Sequence, residues 1–120
     1  GGLITTLEDF SNYVALHLAA WPERDAPELG PLKRSSLREM QFPWNMSGFN
    51  PSYIFPNGRK GSNVTAYGYG LSFMKDDLGK RSVGHSGGLP GFGSNWRIFP
   101  DYDFGIISFV HNTNTTNTSI

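Results

Sequence analysis

The residues best suited to chemistry lie together in Val83-Gly84-His85-Ser86-Gly87-Gly88-Leu89-Pro90-Gly91-Phe92-Gly93. These eleven residues hold one histidine, one hydroxyl and five glycines. An imidazole holds or moves a proton near neutral pH. Backbone N–H groups in such a segment can point at a developing negative charge. The glycines let the chain take positive φ or come close to whatever lies above it. A plainer reading of the same residues is a glycine-rich β-hairpin with an incidental histidine. Other chemistries find less support. A metal site of His85, His111 and Asp101 or Asp103 lacks a ligand pair at the spacing usual for zinc. Gly88-x-x-Gly91-x-Gly93 is neither a dinucleotide fingerprint nor a phosphate loop with its lysine.

Composition narrows the classes further. A chain of 120 residues is one domain or part of one. Its 38% hydrophobic and 14% aromatic content suits a packed core of modest size. Ten Lys and Arg balance ten Asp and Glu, so no net field favours nucleic acid or an anionic membrane. No basic run interleaved with aromatics suggests single-strand binding. The absence of cysteine removes disulfides, thiolate nucleophiles and cysteine zinc sites together. No apolar run is long enough for a helical membrane span.

Several elements must position the glycine stretch. Thr5 or Thr6, with Glu8 or Asp9 three residues on, predicts a helix start. Leu7, Phe10, Val14 and Leu18 continue it as an apolar stripe, and Pro22 ends it near Ala20. His17 on this helix reads as a partly buried or surface histidine. Glu23 to Lys33, charged and proline-bearing, reads as a loop. Ser36 and Glu39 form a second capping box opening a short helix through Met40 or Phe42, closed by Pro43. Residues 44 to 66, rich in Asn, Gly, Pro and Ser, read as a long irregular excursion.

Strands follow. Tyr67, Tyr69, Leu71 and Phe73 alternate with Gly68, Gly70 and Ser72, a strand with one aromatic face, followed by a turn over 75 to 80. Arg81 to His85 and Ser94 to Phe99 read as strands flanking the glycines, with a turn at Pro100 to Asp103. Asn95 and Trp96 border the site, and alternation lets only one of them face it. Phe104 to His111, apolar on both faces, should lie inside the sheet or under a helix. Asn112 to Ser119 reads as a polar tail. Glycosylation sequons at Asn45, Asn63, Asn114 and Asn117 carry little weight in a chain so rich in Asn, Ser and Thr. With no internal repeat, the expected class is α+β, an antiparallel sheet with helices packed on it.

Gly1 to Phe10, Pro31-Leu32 to Gln41, Tyr67-Gly68-Tyr69-Gly70-Leu71, Gly84-His85-Ser86-Gly87-Gly88 to Pro100, and Phe104 to Asn112 together resemble the C-terminal part of a serine hydrolase. The family is that of the class C β-lactamases, with penicillin-binding proteins, D-aminopeptidases and esterases as relatives. The resemblance implies the C-terminal portion of a β-lactamase/transpeptidase-like fold. It also implies hydrolysis of an amide or ester bond through an acyl-enzyme, without a cofactor or metal. By the same resemblance His85-Ser86-Gly87 is the family's third motif. His85 stands where many members carry lysine and helps position or polarise the nucleophile's proton network. Ser86 hydrogen-bonds the substrate, Gly87 lets it approach, and Gly88 gives one N–H to the oxyanion hole.

Two of the family's motifs have no counterpart here. Tyr-x-Asn is absent, and the single Ser-x-x-Lys, Ser72-Phe73-Met74-Lys75, reads as strand, where residues three apart point to opposite faces. The expectation is therefore one partial domain over residues 1–120, a C-terminal fragment beginning abruptly at Gly1-Gly2-Leu3 and inactive alone. Its partners would be a small amide, ester or peptide substrate and the missing N-terminal part or a second copy. Nucleic acid and a membrane span are not expected, and the resemblance allows an extracytoplasmic location. The alternative is a binding or structural module that shares the fold without the chemistry.

Overall fold

The computed structural model describes residues 1–112. Two helices, α1 (Leu7–Leu18) and α2 (Arg34–Gln41), precede six strands. These are β1 (Asn45–Ile54), β2 (Lys60–Tyr67), β3 (Ser72–Asp76), β4 (Arg81–Leu89), β5 (Phe92–Phe99) and β6 (Phe104–Val110). They form one sheet in chain order, each pair of neighbours antiparallel. The expected α+β class is what the chain adopts.

α1 begins as its sequence predicts. Thr6 is extended and its hydroxyl accepts the Asp9 N–H at 3.1 Å, satisfying one of the first turn's free donors. The helix closes at Leu18, slightly before the expected Ala20, and the Ala19 N–H still returns to the Ala15 carbonyl at 2.9 Å. Its inner face lays Phe10, Val14 and Leu18 on Leu71, Val83, Trp96 and Ile98, with Met40, Phe73 and Ile107 completing the core. Val83 and Ile98 are fully buried, each stabilising the fold by about 1.5–3 kcal/mol through apolar burial.

α2 starts earlier than the Ser36–Glu39 box predicts. It begins at Arg34, with Lys33 in the cap position and no side-chain cap. Glu28 from the preceding loop does the capping instead. Its carboxylate accepts the Arg34 N–H at 3.0 Å and pairs with the Arg34 guanidinium at 3.5 Å. Ser35 and Ser36 are thus helical residues. The helix stops at Gln41, and Phe42 is extended, as suits the residue before a proline.

Residues 44 to 66 differ most from expectation. They form the β1–β2 hairpin, turning at Pro56-Asn57-Gly58 with Gly58 at φ 84°. Register shifts between Met46 and Gly48 and between Asn50 and Tyr53 break the alternation that marks a strand. Pro51 also argues against a strand, except at a sheet edge or bulge, and β1 is an edge.

The single strand expected over Tyr67 to Phe73 is divided. β2 ends at Tyr67, the Gly68 N–H bonds the Leu71 carbonyl at 2.8 Å, Gly70 takes φ 72°, and β3 starts at Ser72. This turn lies against the end of α2. The Tyr69 N–H donates to the Met40 carbonyl at 2.9 Å, and a Cβ on Gly68 would overlap that same oxygen. β6 is an edge strand under α1, so the helix cover was read correctly and a place inside the sheet was not. Phe104 and Ile106 on it stay 53% and 38% exposed. The tail after Asn112, with the sequons at Asn114 and Asn117, lies outside the described residues.

Candidate active site

The start of β4 is held firmly. Arg81 gives two hydrogen bonds to the Asp101 carboxylate, at 3.1 and 3.2 Å, and its guanidinium lies over the Trp21 ring at 4.3 Å. Val83 is core. At Gly84 the neighbouring strand comes so close that a Cβ would overlap the Trp96 carbonyl oxygen. Of the five glycines, only Gly91 has positive φ, at 83°, where Pro90-Gly91 turns β4 into β5. Gly84 and Gly87 serve close approach instead, the latter leaving room for the Ser94 hydroxyl.

Strand pairing gives His85 its surroundings. β5 pairs with β4 from Val83 to Leu89, whereas β3 pairs with it only from Arg81 to Gly84. Among the described residues, therefore, no strand borders His85–Leu89 on the β3 side. At the His85 end of this margin opens a cleft of about 550 Å³. It is lined by residues of the N-terminal segment and α1 (Leu3, Thr5, Asp9, Phe10, Tyr13), by Gly70 and Leu71, and by His85 and Trp96. Burial raises the pKa of the Tyr13 phenol, which keeps it a donor. The His85 ring bonds at both nitrogens, Nε2 to the Tyr67 hydroxyl at 2.9 Å and Nδ1 to the Ser86 carbonyl oxygen.

The expected site residues are not all brought to the cleft. His85 pairs with Trp96 and shares its face, so Trp96 and not Asn95 borders the cleft. Ser86 pairs with Asn95 and projects to the opposite face, exposed. Gly87 and Gly88 are exposed along the unpaired margin. Sequence reading missed Tyr67, Asp9 and Tyr13 as neighbours of the site. The capping signal around Asp9 was visible, but nothing local says where the helix start docks. Among the described residues, no three of His, Asp and Glu gather closely enough to hold a metal.

The sequence profile of the Beta-lactamase family matches residues 1–119. The chain belongs to the β-lactamase family. Comparison with curated proteins found no match, and neither did comparison with solved structures. Membership makes this a hydrolase-related domain with a serine-hydrolase-related fold. Within that family, the chain's Ser-x-x-Lys lies in β3, an extended strand, so Ser72 and Lys75 do not share the helical face the motif requires.

Proposed function

We propose that the chain supplies one wall of a serine hydrolase site that cleaves an amide or ester bond through an acyl-enzyme. One observation carries this reading: His85, where β4 loses its β3 neighbour, lines the cleft, and Gly87 and Gly88 follow it along the same unpaired margin. A small amide, ester or peptide lying along the margin finds backbone donors and no side chain at Gly87 and Gly88 to hold it off. In this reading Gly88 gives an N–H to the oxyanion and Gly87 lets the substrate approach. Ser86 hydrogen-bonds the substrate from the margin's far face. His85 orders the proton network of a serine supplied from outside the chain. The β1 edge and the exposed Phe104 and Ile106 are where the remaining part of such an enzyme, or a second copy, would pack. A monomeric chain that melts cooperatively would count against that packing.

A second reading, a binding module that keeps the fold without turnover, draws on the strand placement of Ser72 and Lys75. Treatment with a fluorophosphonate and, separately, a penicillin, read by peptide mass, separates the two. The chain alone should carry no adduct; label on Ser72 or Ser86 would put the nucleophile inside it and overturn the proposal. A form extended at its N-terminus should label at a serine of Ser-x-x-Lys, and His85→Ala should slow that labelling on the order of a hundredfold. Ligand binding with no labelled serine would favour the binding module.

A further inference from the structure

Tyr67 lies two strands from His85, yet its hydroxyl meets Nε2 of that ring at 2.9 Å. The rings stand edge to face at 75°, with centroids 5.9 Å apart. The register explains this reach. Tyr67, the last residue of β2, pairs with Ser72, the first of β3, and Ser72 pairs with Gly84. β3 offers nothing beyond Ser72, so the phenol crosses its open end to the next residue of β4.

The other nitrogen decides where the proton sits. Nδ1 bonds the Ser86 carbonyl oxygen, which can only accept, so Nδ1 carries the hydrogen. In the neutral ring Nε2 is then an acceptor, and the Tyr67 hydroxyl donates to it. We infer that Tyr67 is a positioning residue for His85, its hydroxyl holding the neutral imidazole in the Nδ1–H form with Nε2 turned to the phenol. Any group that bonds Nε2 must displace the phenol or bond through its oxygen, which keeps a free lone pair. The functional weight of this role rests on the reading of His85 proposed above; the tautomer itself does not.

Gly68 sets the phenol's position. It lets the β2–β3 turn lie on the Met40 carbonyl, directly after Tyr67. An alanine at 68 would push that turn off α2 and move the phenol without altering either ring.

The chain has three histidines, so long-range proton–nitrogen correlation spectra distinguish their rings. At about pH 8.5, above the ordinary imidazole range, His85 of the 120-residue chain should show a protonated Nδ1 and a bare Nε2. His17, whose Nδ1 accepts from Gln41, should show the reverse. Tyr67→Phe keeps the ring and removes the hydroxyl. It should lower the His85 ratio of Nδ1–H to Nε2–H about fivefold, the worth of one ordinary hydrogen bond. The His17 pattern should stay unchanged, reporting an intact core. Gly68→Ala should move the His85 ratio the same way.

A wild-type His85 protonated on Nε2, or a ratio unmoved by Tyr67→Phe, removes Tyr67 from this role. A variant that also loses the His17 pattern has unfolded, and the wild-type spectrum then decides. These spectra do not depend on adduct formation, so the tautomer and the hydrolase reading fail separately.

Discussion

His17 and His85 are the same residue type in two regions, both beside Trp96, and their surroundings are opposite in kind. His17 is wholly buried, its ring 4.7 Å from the Tyr13 ring and 5.5 Å from that of Trp96, centroid to centroid. The Trp21 indole N–H can only donate, and it donates to the Gln41 side-chain oxygen at 2.8 Å. That fixes the amide, whose NH₂ then donates to Nδ1 and to the carbonyl of His17, both at 3.1 Å. The ring joins α1, α2 and the sheet, and burial pushes its pKa down to about 4. His85 instead sits where a strand loses its neighbour, with polar partners on both nitrogens and a cleft beside it. An imidazole closed into packing serves the fold, whereas one at an unpaired margin borders open space, its two nitrogens held by a phenol and a backbone carbonyl.

The contrast can be broken most sharply one residue from His85. Gly84→Ala puts a Cβ into the Trp96 carbonyl, a backbone atom that cannot swing aside. We expect a loss of at least about 3 kcal/mol in chemical denaturation; a loss under 1 kcal/mol, on the order of a single weak contact, would mean β4 and β5 lie further apart.

Next comes His17→Ala, which empties a buried site and leaves the Gln41 amide without its acceptor on the ring. It should cost about 3 kcal/mol by the same measurement.

A smaller effect follows from acid. The folded pKa of His17 lies below the unfolded value, so the unfolded chain takes up the proton first. Its contribution is therefore neutral above about pH 6.5 and turns against folding as pH falls toward 4. Between pH 7.5 and 5 the loss should be about 2 kcal/mol. In His17→Leu that part of the pH dependence should vanish; a retained slope would assign it to other groups.

The smallest expected stability change belongs to His85→Ala, within about 0.5 kcal/mol, since the ring lies at the surface margin. A loss like that of His17→Ala would erase the distinction between the two regions.

The sequence disclosed some of this better than the rest. Thr6 and Asp9 announce α1, because a cap is a local device whose two residues lie three apart. α2 is capped from a distance by Glu28, so its start could not be read from Ser36 and Glu39 alone. The hairpin over residues 44 to 66 was not read, since Pro51 and two register shifts, all in β1, break the alternation of its first strand. Losing that hairpin hid Tyr67 as well, since its approach to His85 depends on where β2 ends and β3 begins. His17 was read as partly buried or at the surface because its donor, the Gln41 amide, comes from another helix and is itself oriented by Trp21. Glycines 84, 87 and 88 were legible as permission for close approach. What approaches them, the Trp96 backbone at one and the Ser94 hydroxyl at another, is a property of pairing and not of the segment.

The strand order carries a consequence for the sequence of folding events. Every strand neighbours the next in the chain, so the sheet is a row of short-range hairpins that close at little entropic cost. α1 is different: it comes first in the chain and rests on β5 and β6, which come last. Among the described residues, the helix gains the sheet surface it rests on only when the final hairpin is made. The cleft between α1 and His85 is thus the last part to assemble and the first to open. Amide exchange in α1 should accordingly outpace that at the centre of β4 and β5, with the sheet still closed beneath it.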